Sequence, residues 1–334
     1  MGNGFAVIDI GSNSIRYMTA ASERGLLRCG AKQRRTTRLA TGLLETGRLR
    51  TENLIASAAV VRGFCAEAAK EGLFVCAYAT SAVRDAENRA EFLSLLESIP
   101  NLRLEILSGE EEARLAYLGA TKGQGGTVID IGGGSLQVAT AKDAVSAPSG
   151  AIRAKEFCAV TAPDSRFRIP DSSLETMKQM LAEQLFALLP PPSVHVGPYY
   201  GVGGTITTLG ALLESSVITW EKRWEYLQPL LAKEYCTVDD LKSAKRALTG
   251  LGAFRKNSVI TRKKLWTLLK ELHAMGPARA QHPLLESRHD TIIPGGLLLL
   301  NLMEKMRIDK LTPSHADGLE GYAQKIMEER GTKL

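Results

Sequence analysis

Two turns of nearly the same spelling decide the fold of this chain. Asp9-Ile10-Gly11-Ser12-Asn13-Ser14 directly follows the apolar run Phe5-Ala6-Val7-Ile8, and Asp130-Ile131-Gly132-Gly133-Gly134-Ser135 directly follows Thr127-Val128-Ile129. Each pattern predicts a buried strand that ends at an acidic residue and then turns through glycine. Glycine lets the backbone bend sharply and bring its N–H groups close to an anion. Because the pattern occurs twice, we expect two related half-domains that face one phosphate-bearing ligand across a cleft.

The composition is that of a protein with ordinary hydrophobic cores and a modest positive charge. The chain has 334 residues, of which 44% are hydrophobic, and this is enough to build two domains. The formal net charge of +6 favours anionic partners without identifying one, since a merely basic enzyme has the same balance. Aromatic residues make up only 6% of the chain, so stacking on nucleic acid is not indicated and no nucleic-acid partner is expected.

Cysteine usage and the absence of long apolar runs predict a cytoplasmic protein. The five cysteines are scattered and form no Cys-x-x-Cys pair, which fits a reducing compartment better than a disulfide framework or a zinc site. The N-terminus has no basic region followed by a long apolar stretch, so no signal peptide is expected. The longest apolar run, residues 297–300, is far too short to cross a bilayer, and no membrane partner is expected.

Strand and helix signals alternate along the chain, which predicts an α/β fold. We expect strands at 17–21, 74–79, 102–107, 137–140 and 194–202, a loop at 80–85, and helices that begin near Glu52, Asp85, Ser108, Ser172 and Gly203, with a mostly helical region from Asp239 onward. Asp85 is expected to cap its helix, and Ser108 with Glu111 and Ser172 with Glu175 have capping-box spacing.

The glycine-rich stretch at 124–126 is the expected linker between domains. It divides the chain into an N-terminal domain at 1–123 and a C-terminal domain at 124–334. The second domain carries helical additions, and its last helix is a candidate to pack back on the first domain.

A carboxylate stands at the end of each predicted strand, next to the glycine turn. Asp9 and Asp130 would repel a phosphate unless a cation lay between them. Mg²⁺ prefers few carboxylates, several waters and phosphate oxygens, so these two residues are the candidate metal site. The competing interpretation is an aspartate that caps its own turn, which is a common role for this residue type.

Three consecutive glutamates follow Ser108, and they are not equivalent. Glu111 has the spacing of the capping-box partner of Ser108. Glu112 lies one residue deeper and points about 100° away around the helix, so it is free to accept a proton from a water molecule. The alternative is that all three acids, Glu110 included, only stabilise the positive end of the helix dipole.

Arg84 is the candidate phosphate clamp, because a planar guanidinium suits the oxygens of a phosphoryl group in transfer. Arg153 is a weaker candidate of the same kind. The basic stretch at 32–50 would guide a polyanion toward the cleft. For each of these features the alternative is a solvated surface charge.

Motifs of other phosphate-binding and hydrolytic enzymes are missing from the sequence. It contains neither Gly-x-x-x-x-Gly-Lys-Ser/Thr nor Gly-x-Gly-x-x-Gly, so neither an ordinary P-loop nor a Rossmann site is indicated. The five histidines have no metal-ligand spacing. A third glycine turn, Gly203-Gly204-Thr205, is the only hint of a nucleoside site.

Taken together, these residues resemble the exopolyphosphatase/guanosine pentaphosphate phosphohydrolase family, within the actin–Hsp70–sugar kinase superfamily. The order and spacing of the matching blocks make the resemblance specific through about residue 210. The blocks are residues 8–16, 79–88, 108–115, 129–135, 150–153 and 203–205.

The resemblance implies two ribonuclease-H-like, actin-like ATPase domains with the active site between them. It also implies Mg²⁺-dependent removal of the terminal phosphate from polyphosphate or guanosine pentaphosphate, and a homodimer is compatible with it. Carried over by motif, Glu112 becomes the general base, Arg84 a phosphate clamp and Asp130 a metal-site acid. The implied phosphate-binding residues are Gly11, Ser12, Asn13, Ser14, Arg16, Gly132, Gly133, Gly134, Ser135, Gly203, Gly204 and Thr205.

The chain departs from the family pattern at two places. Family members usually carry glutamate two residues after the serine of the second turn, where this chain has Gln137. An amide can orient a water but brings no negative charge and is a poor ligand for Mg²⁺. Near the C-terminus, the usual Arg-Glu-Gly is replaced by Gly318-Leu319-Glu320-Gly321.

Two other functions fit the same resemblance. One is a protein that senses polyphosphate or a guanosine alarmone with little turnover, and Gln137 favours it. The other is a small-molecule kinase of the superfamily, which needs an adenosine site and an acceptor-positioning base. The blocks at 80–88 and 108–115 argue against the kinase. The sequence does not choose between polyphosphate and guanosine pentaphosphate.

Overall fold

The fold is described from a computed structural model of the chain. The described residues are 4–160, 173–189, 197–215, 258–285 and 288–331, with single positions at 195, 228 and 237. They form two six-stranded sheets, one built before and one after the stretch at 124–126. Strands and helices are mixed in both halves, so the predicted α/β class is confirmed. The division at residues 123 and 124 stays a prediction.

The first half builds a sheet around the strand that precedes the first glycine turn. In chain order it contains β1 (Gly4–Ile10), β2 (Ser14–Glu23), β3 (Leu26–Cys29), β4 (Gln33–Thr36), α1 (Leu43–Thr46), α2 (Thr51–Lys70), β5 (Phe74–Ala79), α3 (Ser81–Asp85), α4 (Arg89–Glu97), β6 (Leu102–Ile106) and α5 (Gly109–Thr121). The strand order is β3-β2-β1-β5-β6, and β4 also pairs with β2.

The second half builds a sheet around the strand that precedes the second glycine turn. Its elements are β7 (Thr127–Ile131), β8 (Leu136–Ala139), β9 (Ala144–Ala147), α6 (Ala151–Val160), α7 (Leu174–Leu188), β10 (Tyr199–Val202), α8 (Gly203–Ser215), β11 (Ile260–Thr261), α9 (Arg262–Ala274), α10 (Ile292–Lys305), β12 (Lys310–Pro313) and α11 (Gly318–Gly331). A 3₁₀ helix, Gly276–Gln281, follows α9. The strand order is β11-β12-β10-β7-β8-β9.

The two sheets share one connectivity. The order β3-β2-β1-β5-β6 in the first corresponds to β9-β8-β7-β10-β12 in the second, with the same antiparallel and parallel pairings. The same backbone hydrogen bond closes both turns, from Gly11 N–H to the Ser14 carbonyl at 3.2 Å and from Gly132 N–H to the Ser135 carbonyl at 3.0 Å. The repeated sequence pattern therefore corresponds to a repeated local structure.

The continuous apolar run of β1 is explained by cores on both faces of its sheet. Ala6, Ile8 and Ile10 belong to the core beneath α2, whereas Phe5 and Val7 belong to the core that includes α11. Successive side chains of a strand point to opposite faces, so a strand covered on both sides is apolar throughout. This burial fixes the end of β1, and with it the first glycine turn.

The apolar run at 297–300 lies within α10, whose residues 292–303 are all buried. These side chains belong to the core of the second half, together with residues from α7, α8 and α9. None of the described helices has the length and apolar character needed to cross a membrane.

Several sequence-based boundaries were wrong. The predicted loop at 80–85 contains α3, and α4 begins after Asn88, so Asp85 does not cap it. Helix α7 begins after Ser173, which accepts the N–H of Thr176, so the predicted capping box of Ser172 with Glu175 is wrong. Of the strand predicted at 194–202, the structure shows Tyr199–Val202, and residue 194 lies outside the described residues.

Two strands were missed for identifiable reasons. β4 reads Gln-Arg-Arg-Thr and has no apolar alternation, because it is a mostly exposed edge strand that pairs with β2. β12 is a short strand inside the region predicted as mostly helical from Asp239, of which 239–257 lies outside the described residues. The partner of β12 in the sheet, β10, lies far away in the chain, and a local pattern does not report such a pairing.

Helices α5 and α11 approach each other through glycine. A Cβ atom at Gly321 would lie 1.9 Å from the carbonyl oxygen of Leu115, and one at Gly119 would lie 1.8 Å from the carbonyl oxygen of Asp317. Backbone atoms cannot accommodate such a contact by a side-chain rotation. The last helix of the chain is thus held against α5 at a distance that only glycine permits.

Gly321→Ala should destabilise the protein by roughly 1–3 kcal/mol, because the added methyl group forces α11 away from α5. The matched control is Gly63→Ala in α2, where a Cβ atom meets nothing within 4 Å. There the better helix propensity of alanine should stabilise by about 0.5–1 kcal/mol. Chemical denaturation of both variants measures the two changes. Equal effects of the same sign would contradict the close packing of α5 and α11.

Candidate active site

A cavity of about 270 Å³ opens between the two halves, where β1 and β7 end. Both glycine turns line it, together with the third glycine turn and the first turn of α5. The predicted site residues that line it are Asp9, Gly11, Ser12, Asn13, Ser14, Arg16, Glu112, Asp130, Gly132, Gly133, Ser135, Gly203, Gly204 and Thr205. The structure therefore brings together most of the residues that the sequence singled out. The lining does not include Gly134, Arg84, Arg153 or Gln137.

The two halves meet at the glycine turns themselves. The hydroxyl groups of Ser12 and Ser81 are 3.0 Å apart. A Cβ atom at Gly134 would lie 2.4 Å from the Ser81 hydroxyl and 2.7 Å from that of Ser12. A Cβ atom at Gly133 would lie 2.9 Å from Cβ of Ser12. Glycine at 133 and 134 thus lets the second turn approach the first, which places backbone N–H groups of both halves around one cavity.

Glu112 is a buried carboxylate that the helix cap does not use. Ser108 and Glu111 form the predicted capping box, with the Glu111 N–H donating to the Ser108 hydroxyl at 3.1 Å and the Ser108 N–H donating to Oε2 of Glu111 at 2.7 Å. Oε2 of Glu112 is buried without a hydrogen-bond partner, and the nearest cation is Nη1 of Arg84 at 3.6 Å. The capping role of Glu111 is confirmed, whereas the role of Glu112 as a general base stays a prediction.

Burial controls the ionisation of Glu112. Loss of solvent, with a smaller contribution from the charge of Asp130, raises the pKa of Glu112 to about 8, although Arg84 opposes the shift. A carboxylate with a pKa near the working pH is a more effective proton acceptor than an ordinary glutamate. The environment thus suits Glu112 to exchange a proton with a water in the cleft.

Asp9 and Asp130 occupy equivalent places in the two halves, but their surroundings differ. Asp9 accepts two hydrogen bonds from Arg16 on Oδ2, from Nε at 2.8 Å and from Nη2, while its Oδ1 is buried without a partner. Burial raises the pKa of Asp9, and Arg16 opposes this. Burial also raises the pKa of Asp130, to about 7, with Asp317 and Asp9 adding to the shift.

The predicted clamp, Arg84, belongs to a series of ion pairs that begins at Glu112. Its Nη1 donates to the Leu107 carbonyl at 2.8 Å, and its Nε donates to Asp85 at 3.2 Å. Asp85 also accepts Nη2 of Arg153 from the second half, at 2.5 Å. Arg84 is three-quarters buried, so the alternative of a surface arginine does not hold. Its contacts place it against Glu112, but Arg84 is not itself among the residues that line the cavity.

Gln137 lies directly opposite Asp130 in the antiparallel pairing of β7 and β8. Its side chain is buried, its Nε2 donates to the Ser135 hydroxyl at 2.8 Å, and its Oε1 has no hydrogen-bond partner. Residues directly opposite each other in an antiparallel pair point to the same face of the sheet. Gln137 therefore supports the second glycine turn from beside the candidate metal acid.

Sequence reasoning missed Arg288, His315 and Asp317, which also line the cavity. Lys32 and Arg34 line it as well, and the sequence placed them only in the basic stretch at 32–50. Burial lowers the pKa of Arg288 to about 9, and the positive charges of Arg34 and Arg16 add to the shift. Arginines that lie close together favour an anion between them. Arg34 lies directly opposite Arg16 in the pairing of β4 with β2, a relation that only the undetected strand creates.

The residues of the cleft suit a divalent cation that is bound together with phosphate. Within the described ranges, no group of three or more His, Cys, Asp or Glu is arranged to hold a metal by itself. Yet Oδ1 of Asp9 and Oε2 of Glu112 are buried carboxylate oxygens that accept no hydrogen bond, and leaving such an oxygen without one costs about 1–3 kcal/mol. Mg²⁺ is commonly held by one or two carboxylates, with water and phosphate oxygens as its other ligands. These residues therefore fit Mg²⁺ shared with a phosphate ligand.

Comparison with known sequences gives matches over nearly the full chain. A family model described as the Ppx/GppA phosphatase family matches residues 18–328. The chain is 28% identical to exopolyphosphatase 2 of Mycobacterium tuberculosis over 342 aligned residues, covering 95% of this chain and 97% of the other. It is 32% identical to exopolyphosphatase 1 of Mycobacterium bovis over 202 residues, covering 57% and 56%.

Comparison with solved structures gives similar folds at low identity. The Ppx/GppA enzyme of Aquifex aeolicus is 25% identical, with a TM-score of 0.67 over 96% of this chain and 98% of the other. An exopolyphosphatase from Cytophaga hutchinsonii is 18% identical, with a TM-score of 0.71 over 98% of both chains, and shares the fold. The agreement in fold thus extends well beyond residue 210, where the matching sequence blocks end.

Proposed function

Because the chain belongs to the Ppx/GppA phosphatase family, we propose that it removes the terminal phosphate from inorganic polyphosphate, guanosine pentaphosphate or both. The chain is a phosphatase, and its curated relatives in Mycobacterium are exopolyphosphatases. The observation that carries the proposal is Glu112, whose Oε2 is buried without a hydrogen-bond partner in a cleft lined by two glycine turns. Such a group has the position and the proton affinity to activate a water beside a bound phosphate.

In this proposal each group of the cleft has one task. The backbone N–H groups of the turns at 11–14 and 132–135 hold the oxygens of the terminal phosphate. Glu112 accepts a proton from the water that attacks phosphorus in line with the departing oxygen. Arg84 orients the carboxylate of Glu112. Positioning and electrostatic stabilisation provide most of the rate in phosphoryl transfer, so a preformed cleft of this kind is sufficient.

Asp9 and Asp130 are the residues that would hold Mg²⁺. When bound, the ion would neutralise charge on the phosphate oxygens and make attack by water easier. The equivalent positions of the two acids in the two halves support this assignment, since both strands end at the same cavity. The unpaired Oδ1 of Asp9 supports it independently.

Phosphate release from polyphosphate and from guanosine pentaphosphate, each with and without Mg²⁺, tests the proposed function. We expect release from at least one substrate, dependent on Mg²⁺ and abolished by Asp130→Asn. The control is Asp309→Asn, since Asp309 is exposed and pairs with Arg262 outside the cleft. Release that persists in Asp130→Asn would remove Asp130 from the metal site. No release from either substrate would overturn the function itself.

A second candidate function is binding with almost no turnover. The observation that favours it is Gln137, which stands opposite Asp130 where relatives usually carry a further carboxylate. In that case the protein would bind polyphosphate or guanosine pentaphosphate tightly and release no phosphate at any Mg²⁺ concentration.

Gln137→Glu should lower the Mg²⁺ concentration for half-maximal activity by at least about fivefold, because a nearby negative charge attracts the cation in a poorly screened cleft. Gln137→Ala should lower activity instead, since it removes the hydrogen bond to Ser135. A Mg²⁺ titration of the three proteins, with phosphate release as the readout, measures both effects. The same metal dependence in wild type and Gln137→Glu would mean that position 137 has no influence on the metal.

A further inference from the structure

Arg16 lies between two buried carboxylates that come from opposite ends of the chain. It donates to Oδ2 of Asp9 through Nε at 2.8 Å and to Oδ2 of Asp317 through Nη1. All three residues line the cleft. We infer that Asp317 is a positioning residue of the active site: it holds the Arg16 guanidinium and, through it, fixes the carboxylate of Asp9. This inference rests on the proposed function.

Asp317 is itself held firmly, because it begins the last helix. Its Oδ1 accepts the N–H of Leu319 at 2.9 Å, and its own N–H donates to Oε2 of Glu320 at 2.9 Å. Reciprocal bonds of this kind satisfy donors that a helix terminus otherwise leaves open. Lys32 adds a cation, with Nζ 3.2 Å from Oδ1 of Asp317 and 2.7 Å from Oε2 of Glu320. The carboxylate therefore has little freedom to turn away from Arg16.

Asp317 directly precedes α11, and α11 is fixed to α5, the helix that carries Glu112. The backbone of Asp317 touches α5 at Gly119, where a Cβ atom would lie 1.8 Å from the Asp317 carbonyl oxygen. Glu112 lies in the first turn of the same α5. One rigid pair of helices thus sets the position of the candidate general base and, through Asp317 and Arg16, that of a candidate metal ligand.

The charge of Asp317 is what makes it suitable for this role. Burial alone would raise the pKa of Asp317, but Arg16 and Lys32 outweigh burial and lower it to about 2. The side chain is therefore anionic at neutral pH, as its ion pair with Arg16 requires. Among the described ion pairs, Arg16 has only Asp9 and Asp317 as carboxylate partners. If Asp317 lost its charge, Asp9 would be the one carboxylate left to pair with Arg16. We expect the guanidinium then to shift toward Asp9 and to cover the oxygen that a metal needs.

The test separates positioning from helix capping. Asparagine and serine are both good N-cap residues, so Asp317→Asn and Asp317→Ser keep the start of α11 while removing the charge that holds Arg16. We expect each to lower kcat/KM by roughly 10–100-fold at limiting Mg²⁺, with a smaller loss at saturating Mg²⁺. Glu329→Gln is the matched control, because it removes a carboxylate of the same helix that pairs with Arg103 outside the cleft. It should leave kcat/KM and its Mg²⁺ dependence within about twofold of wild type.

A double-mutant cycle with Arg16→Met decides the mechanism. If Asp317 acts through Arg16, Asp317→Asn should have almost no further effect on kcat/KM in the Arg16→Met background. An equal loss in both backgrounds would overturn the inference, and so would wild-type Mg²⁺ dependence in Asp317→Asn and Asp317→Ser. The affinity for polyphosphate in the presence of Mg²⁺, measured on the same four proteins, must show the same non-additivity. Phosphate release by wild type tests the proposed function by itself. A failure of the proposed function is therefore distinguishable from a failure of the role inferred for Asp317.

Discussion

Glu112→Gln should lower the turnover of the terminal phosphate by roughly 10²–10⁴-fold and leave substrate affinity nearly unchanged. Glutamine keeps the size and shape of the side chain but cannot accept the proton of the attacking water. The loss therefore falls on the chemical step, and kcat and kcat/KM should decrease together. Steady-state phosphate release and equilibrium binding of the substrate measure the two quantities separately.

The neighbouring Glu111 is the matched control, because it lies on the same turn and its carboxylate is used by the helix cap. Glu111→Ala should cost stability, about 0.5–2 kcal/mol, with turnover close to that of wild type. The opposite pattern, an inactive Glu111→Ala and an active Glu112→Gln, would show that the assignment within the glutamate triplet is wrong.

Stability gives a second readout for Glu112→Gln that does not depend on any substrate. The folded state raises the pKa of Glu112 to about 8 from its usual 4.5, so the folded protein binds a proton more tightly than the unfolded chain. As pH rises through this interval, ionisation of the buried group costs stability in wild type. Glu112→Gln should therefore be more stable than wild type at pH 8–9 by about 1–3 kcal/mol, with little difference near pH 4. Denaturant unfolding without Mg²⁺ at both pH values tests the sign.

The fold could be predicted from sequence because its defining signals are local and occur twice. The runs that end at Asp9 and Asp130 form β1 and β7, and the same hydrogen bond closes the turn after each. The inferred pair of ribonuclease-H-like halves is confirmed by the shared connectivity of the sheets and by the similar solved structures. The capping box of Ser108 and Glu111 was also correct, since it depends on residues only three positions apart.

The charged lining of the cleft could not be predicted, because pairing across long sequence distances creates it. Arg34 enters the site through β4, an edge strand without apolar alternation. Arg288 and Asp317 lie in the last fifth of the chain, where the matching sequence blocks no longer extend. Asp317 pairs with Arg16 and Lys32, and Arg288 is influenced by the charges of Arg34 and Arg16, all of them within the first forty positions. Local spacing contains no information about such contacts, and single charged residues are usually solvated.

Arg84 is a candidate site residue whose surroundings differ from those that the sequence predicted. It was expected in a loop as a free clamp on phosphate, but it lies in α3 with its guanidinium bonded to Leu107 and Asp85. Its Nη1 is 3.6 Å from Oε2 of Glu112, and it opposes the rise in the pKa of that carboxyl. A clamp on phosphate stays a prediction, whereas the contact with Glu112 gives Arg84 a second way to influence the reaction.

Arg84→Ala should lower kcat/KM by roughly 10²-fold or more at neutral pH, and the acid limb of its pH profile should move to higher pH. The sign follows from charge: without Arg84, nothing opposes the burial that keeps Glu112 protonated, so a higher pH is needed to produce the base. Arg84→Lys should restore the acid limb better than the rate, since lysine supplies the charge but not the fixed fork of donors. Arg89→Ala is the control, because Arg89 is exposed and bonds only to the backbone of Arg84 among its described contacts. A pH profile of Arg84→Ala that coincides in shape with that of wild type would show that Arg84 acts on phosphate and not through Glu112.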